Sequence, residues 1–183
     1  MDLVEQVLAL HDALVSARVP HAFGGALALA YWTEEPRGTR DIDCNVFVPA
    51  ADNAVVLAAL PPDVEVPAGT AEQIAIEGQV RLWWNGTPLD LFFDYIRVHR
   101  AAAAGARVVP LAGRQIPVLG PVELVVFKAV FDRTKHWADI ESVLSAGSVT
   151  GEELHQALVE VVGSDDPRVT RLLRTIRRTD SGN

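Results

Sequence analysis

The chain opens with apolar residues at helical spacing: Leu3, Val7, Leu8, Leu10, Leu14 and Val15 predict an amphipathic helix over residues 3–17, and Pro20 blocks its continuation. Residues 20–23 read as a short strand that delivers Gly24 and Gly25 to its end. Ala26 to Trp32 is apolar nearly all round, the pattern of a buried helix. A polar turn follows, Glu34-Glu35-Pro36-Arg37-Gly38, with both breakers present. From Asp41 to Val48 the period becomes two. Ile42, Cys44, Val46 and Val48 share one face, and Asp41, Asp43, Asn45 and Phe47 share the other.

Ala51 to Leu60 predicts a third helix, closed by Pro61-Pro62. Gln73–Glu77 and Gln79–Trp84 read as strands, and Asn85-Gly86 is a strong hairpin signal. In the strand beyond it, Leu89, Leu91 and Phe93 point to a core, while Asp90, Phe92 and Asp94 point the other way. Residues 96–120 carry a weaker pattern, with a helical turn near 100–104 and short strands around Val108 and Ile116. Gly120-Pro121 starts a helix to about Thr134, with proline at its first position. Further helices are expected over Lys135–Leu144, Glu152–Val162 and Pro167 to about Arg178. The expected fold is α/β (α+β): a small mixed sheet of four to six strands flanked by helices, with a helical C-terminal region.

Composition narrows this picture. With 183 residues and 49% apolar content, the chain suits one ordinary globular unit with a sizeable core. The one cysteine, Cys44, excludes an internal disulfide, fits a reducing compartment and should face the core. Asp2 and Glu5 stand where a signal peptide is basic, and no apolar run is long enough to span a bilayer, so a cytoplasmic protein without membrane attachment is expected. A net charge of −8 argues against a general nucleic-acid binder. The basic residues are unevenly used: fourteen of sixteen are arginine, and both lysines, Lys128 and Lys135, fall in one segment.

The candidate chemistry lies between His21 and Val48. Asp41 and Asp43 share a strand face with α-carbons roughly 6–7 Å apart, which suits two carboxylates bridging a hard cation. Mg²⁺ is usually held by one or two carboxylates plus substrate phosphates. Gly24 and Gly25 let the backbone approach a triphosphate, with the following helix N-terminus facing the anion.

Gly24-Gly25, a short helix, then Asp41-Ile42-Asp43 resembles the signature of the nucleotidyltransferase superfamily, the minimal polymerase-β-like core. The spacer before Asp41 is longer than in its compact members. The resemblance implies a nucleotidyltransferase (EC 2.7.7 type) with a catalytic core over 1–120 and a helical region over 121–183. It implies Mg²⁺ (or Mn²⁺) on Asp41, Asp43 and a third carboxylate, with an NTP as substrate. Asp90, in Leu89-Asp90-Leu91, is the candidate third acid that orients or deprotonates the acceptor hydroxyl, and Asp94, of equal parity, is its rival.

The segment Pro121–Leu144 resembles the helical motif of the AbiEii and MenT-type toxin branch, with Lys128, Arg133, Lys135, Asp139 and Ile140 in its places. Lys128 and Lys135 would steady the triphosphate and the departing pyrophosphate. That branch implies a toxin of a toxin–antitoxin pair that modifies the tRNA 3′ end and blocks translation, with a cognate antitoxin as partner. Lincosamide and aminoglycoside nucleotidyltransferases share the Gly-Gly and Arg-Asp-hydrophobic-Asp pattern, so a small-molecule acceptor is the alternative. A non-catalytic antitoxin or scaffold of the same fold is another.

Plainer readings stand beside these. Lys135 and Asp139, four apart on a helix, also read as a surface ion pair. Thr39 could contact phosphate or close the turn, and Arg40 stands beside it as a further nucleotide-binding candidate. Trp32, Trp83, Trp84 and Trp137 could stack a base, although core positions are the usual place for tryptophan. The histidines show no metal-ligand spacing. Arg168, Arg171, Arg174 and Arg177 form a helical stripe that suits a solvated face, an RNA backbone or an acidic protein partner.

Overall fold

The computed structural model describes residues 1–33, 38–95 and 97–182, without the side chains of residues 97, 98, 100, 101 and 182. The turn expected at 34–37 lies outside them. Helix α1 (Leu3–Ser16) starts on a capping box in which the Asp2 side chain and the Glu5 side chain each hold the other's backbone N–H. It leads to β1 (His21–Phe23), then α2 (Gly25–Thr33) and the long strand β2 (Ile42–Pro49). A 3₁₀ turn (Ala50–Asp52) and α3 (Ala54–Ala59) replace the single helix expected over 51–60.

Beyond β3 (Val64–Glu65), the segment expected as a strand over 73–77 is instead helix α4 (Thr70–Glu77). Ile74 and Ile76, two apart, read as alternation. Only Ile74 is buried, and Ile76 is 71% exposed. The helix is bounded by glycines instead: Gly78, left-handed with φ 69°, closes its C-terminus by donating to the Ile74 carbonyl.

Strands β4 (Gln79–Trp84) and β5 (Thr87–Asp94) form the expected hairpin, with positive φ at both Asn85 and Gly86. Helix α5 (Arg97–Gly105) and the hairpin β6 (Arg107–Leu111) and β7 (Arg114–Val118) follow. The chain ends in α6 (Pro121–Phe131), α7 (Thr134–Ser145), α8 (Gly151–Val162) and α9 (Pro167–Gly182).

The mixed sheet has seven strands in the order β3-β4-β5-β2-β1-β7-β6. Two-residue β3 is the piece that carries the count past the expected range. β2 and β5, the middle of this sheet, run parallel, with β1 antiparallel to β2 and parallel to β7. Ile42, Cys44, Val46, Leu89, Leu91 and Phe93 are almost fully buried on one face of β2 and β5. That apolar face, packed into the core, leaves the polar face of the same strands for a cleft. Among the described residues no helix is long and apolar enough to cross a membrane.

Candidate active site

The register of β2 against β5 pairs Asp43 with Asp90 and Asn45 with Phe92. Directly opposed residues of neighbouring strands share a face, so the two carboxylates stand side by side. Asp94 instead pairs with Pro49, beyond a register shift at the far end of the strand. Asp41, one residue before β2, completes the acidic group, and its carboxylate accepts a 2.5 Å hydrogen bond from the Thr39 hydroxyl.

Gly24 and Gly25 form the wall behind Asp43. The Gly24 N–H donates to the Asp43 carbonyl at 2.9 Å. Gly25 adopts φ +53°, and a Cβ there would lie 1.7 Å from Asp43 Oδ2. A side chain at Gly25 and the Asp43 carboxylate would claim the same space. At Gly24, a Cβ would come within 2.9 Å of Asn45 Nδ2.

These groups open into a cleft of about 750 Å³. Gly25 and Ala26 line one side, and Asp41, Asp43, Asn45, Asp90 and Phe92 its floor. Lys128 from α6 and Lys135 and Asp139 from α7 join the lining. Lys128 is buried and its Nζ donates to Asp139 Oδ2 at 2.7 Å, so Asp139 pairs with the lysine one helix away. Lys135 is exposed at the rim, and Arg40 is exposed outside the lining.

The electrostatics follow from the crowding. Burial, together with the neighbouring Asp41 and Asp90, pushes the Asp43 carboxyl up to about 6, while Lys128 and Arg81 pull it back. A bound cation would relieve that repulsion. Among the described residues no group of three or more His, Cys, Asp or Glu forms a ready metal cage. Arg81 grips both oxygens of Asp90, from Nε at 2.7 Å and Nη2 at 2.6 Å. Asp41 and Asp43 remain as two hard oxygen donors, the number Mg²⁺ usually takes from protein when phosphates supply the rest.

Arg81 has no place in the expected set, although the hairpin encodes it. A two-residue turn at Asn85-Gly86 pairs Trp84 with Thr87, and counting outward puts Arg81 opposite Asp90. Gln73 and Glu77 also line the cleft and lie on α4, the segment whose period misleads. The tryptophans take other places: Trp84 and Trp137 are buried, and Trp32 Nε1 donates to the Leu119 carbonyl. Phe92, Phe127 and Phe131 are the aromatic lining.

The α9 arginines lie away from this lining. Arg168 binds Asp166 and the Val130 carbonyl, Arg171 binds Asp132 and stacks on Trp137, and Arg178 pairs with Glu141. Arg174 and Arg177 are exposed.

The fold is that of a nucleotidyltransferase-like core, and the solved structures it resembles include an antibiotic-resistance factor and a nucleotidyltransferase-like protein. The crystal structure of ANT(2'')-Ia in complex with adenylyl-2''-tobramycin aligns with a TM-score of 0.62 at 15% identity, over 86% of this chain and 95% of its own. The solution structure of the same antibiotic-resistance factor gives 0.57 at 11% identity, over 98% and 97%. An antigenic nucleotidyltransferase-like protein from Paracoccidioides brasiliensis gives 0.53 at 18% identity, over 94% and 92%. No protein-family model matches the chain, and no curated protein does.

Proposed function

We propose that this protein transfers a nucleoside monophosphate from an NTP to an acceptor hydroxyl and releases pyrophosphate. The observation that carries the reading is the lateral pairing of Asp43 with Asp90 beside Gly25, in a cleft that Lys128 also lines. In this reaction the acceptor oxygen attacks the α-phosphorus, the bond to the β-phosphate bridging oxygen breaks, and pyrophosphate leaves with the electron pair. The hydroxyl proton passes to a carboxylate, for which Asp90 is the candidate.

Each side chain has a part in that chemistry. Gly25 gives the triphosphate access to the backbone at the start of α2. Lys128, fixed by Asp139, and Lys135 at the rim balance charge that builds on the leaving group. Asp41 and Asp43 would hold Mg²⁺ or Mn²⁺, which when bound supplies charge neutralisation at the phosphates.

For the acceptor, the sequence resemblance to the AbiEii and MenT-type branch supports the tRNA 3′ end, with the chain acting as a toxin held by a cognate antitoxin. A second reading, a small polar acceptor of the aminoglycoside or lincosamide kind, is favoured by the state of the α9 arginines. Arg168, Arg171 and Arg178 are engaged by carboxylates of the same chain, away from the cleft lining. Paired in this way they offer less free positive charge to a phosphate backbone.

The test is incubation with each α-labelled NTP, Mg²⁺ and either bulk RNA or an aminoglycoside and lincosamide panel, with Asp43→Ala as control. Label transferred by wild type and lost in the variant supports the reaction, and the labelled acceptor selects between readings. No transfer to any acceptor overturns it in favour of a non-catalytic antitoxin or scaffold.

A further inference from the structure

We infer that Phe131 and Phe92 form a stacking shelf for the nucleobase of the bound nucleotide, an inference that rests on the nucleotide-transfer reading above. Neither residue carries chemistry of its own, and their placement is the argument. Phe131 ends α6 three residues after Lys128, about 4.5 Å further along the helix axis. Phe92 lies on the same face of β5 as Asp90, two residues on and roughly 7 Å along the strand. Two independent elements thus set aromatic rings one step beyond groups assigned to the reaction, Lys128 to the leaving phosphates and Asp90 to the acceptor hydroxyl. The two steps converge: the Phe92 and Phe131 ring centroids are 6.1 Å apart with their planes tilted by 58°, so one ring can offer its face to a planar ligand and the other its edge.

The shelf is held yet open. The Phe131 ring meets His136 edge-on at 6.4 Å, and the Arg133 guanidinium lies 5.8 Å from its centroid. Even so, Phe131 remains 38% exposed, and both phenylalanines line the cleft. A planar ligand stacked on Phe131 would cover this part-exposed apolar ring, which lines a polar cleft beside the Arg133 guanidinium. A sugar separates the base of a nucleotide from its phosphates, and Phe131 is offset from Lys128, the phosphate-end group, by about 4.5 Å along α6. Stacking of this kind tolerates every base, since each has a π-face.

The experiment compares two probes, the NTPs and inorganic triphosphate, which lacks both sugar and base. Each is titrated with Mg²⁺ and no acceptor against wild type, Phe131→Ala and Phe131→Trp. The expected result is an NTP affinity lower by on the order of tenfold in Phe131→Ala, unchanged triphosphate binding, and near-wild-type behaviour in Phe131→Trp. Retained triphosphate binding also shows that the variant has folded. An equal loss for both probes, or none for either, overturns the shelf and leaves the transfer reading standing. Wild type that binds neither probe overturns both.

Discussion

Arg81 and Asp90 face each other across the β4–β5 hairpin, and the guanidinium engages both carboxylate oxygens of the acid assigned to the acceptor. A positive charge therefore already resides where a metal or an acceptor hydroxyl would make its contact. Arg81 is half exposed, so its hold is screened and can be released.

Removing that charge should favour cations. Arg81→Ala leaves Asp41, Asp43 and Asp90 without a compensating partner on the sheet, and Mn²⁺ should bind the nucleotide-free protein more tightly by a few-fold, or about 0.5–1 kcal/mol. Titration followed by the Mn²⁺ paramagnetic signal checks this. Weaker Mn²⁺ binding in the variant would show that Arg81 organises Asp90 instead of competing for it.

Gly25→Ala should damage both stability and site. The added methyl collides with Asp43 Oδ2 at a left-handed backbone position, so a cost of roughly 1–3 kcal/mol is expected, with loss of nucleotide transfer. Gly113→Ala is the control: its φ is +78°, yet a Cβ there meets nothing within 4 Å. Thermal melting and transfer assays on both variants separate backbone strain from displacement of Asp43. Equal effects on transfer would remove Gly25 from the site.

The raised carboxyl of Asp43 sets a pH dependence with a definite sign. Its folded value of about 6 exceeds the ordinary 3.8, so the folded state binds the proton more tightly. Stability should fall as pH rises from about 4 to about 6, and the full cost of the ionised group should stand above that. Asp43→Asn should accordingly stabilise the protein at pH 8 by on the order of 2 kcal/mol and have little effect near pH 4. Urea unfolding at the two pH values measures it, and an equal gain at both would contradict the account. Mn²⁺ binding should weaken below about pH 6 as protons compete.

Lys128 and Asp139 form a buried pair, each side chain about one-tenth exposed. Asp139→Ala should cost roughly 3–5 kcal/mol, because it takes the carboxylate from a buried ammonium. Lys128→Met with Asp139→Leu should recover most of that stability while nucleotide transfer stays lost. Chemical denaturation and label transfer on the double variant test the two halves separately. Recovery of transfer along with stability would reduce the pair to a packing element.

Much of this arrangement was legible in the chain. Period two at Asp41–Val48 and Leu89–Asp94 placed Ile42, Val46, Val48, Leu89, Leu91 and Phe93 on the buried face, and Cys44 is buried as its parity requires. The Asn85-Gly86 turn even fixed Arg81 opposite Asp90. The parallel register of β2 with β5 was not legible, since 46 residues lie between Asp43 and Asp90 and no local turn counts across them. Helix α4 misled because two isoleucines in eight residues carry too little periodicity to outweigh alternation, and its glycine boundaries decided the matter. The partner of Asp139 was hidden for a related reason: spacing within one helix names Lys135, whereas packing of α6 on α7 supplies Lys128.

The alternation that puts Leu89 and Leu91 in the interior leaves Asp90 no freedom to be misplaced. Sliding β5 by one residue against β2 would turn those leucines to water and drive the acid into the apolar layer. The oily side of the sheet thus proofreads its reactive side.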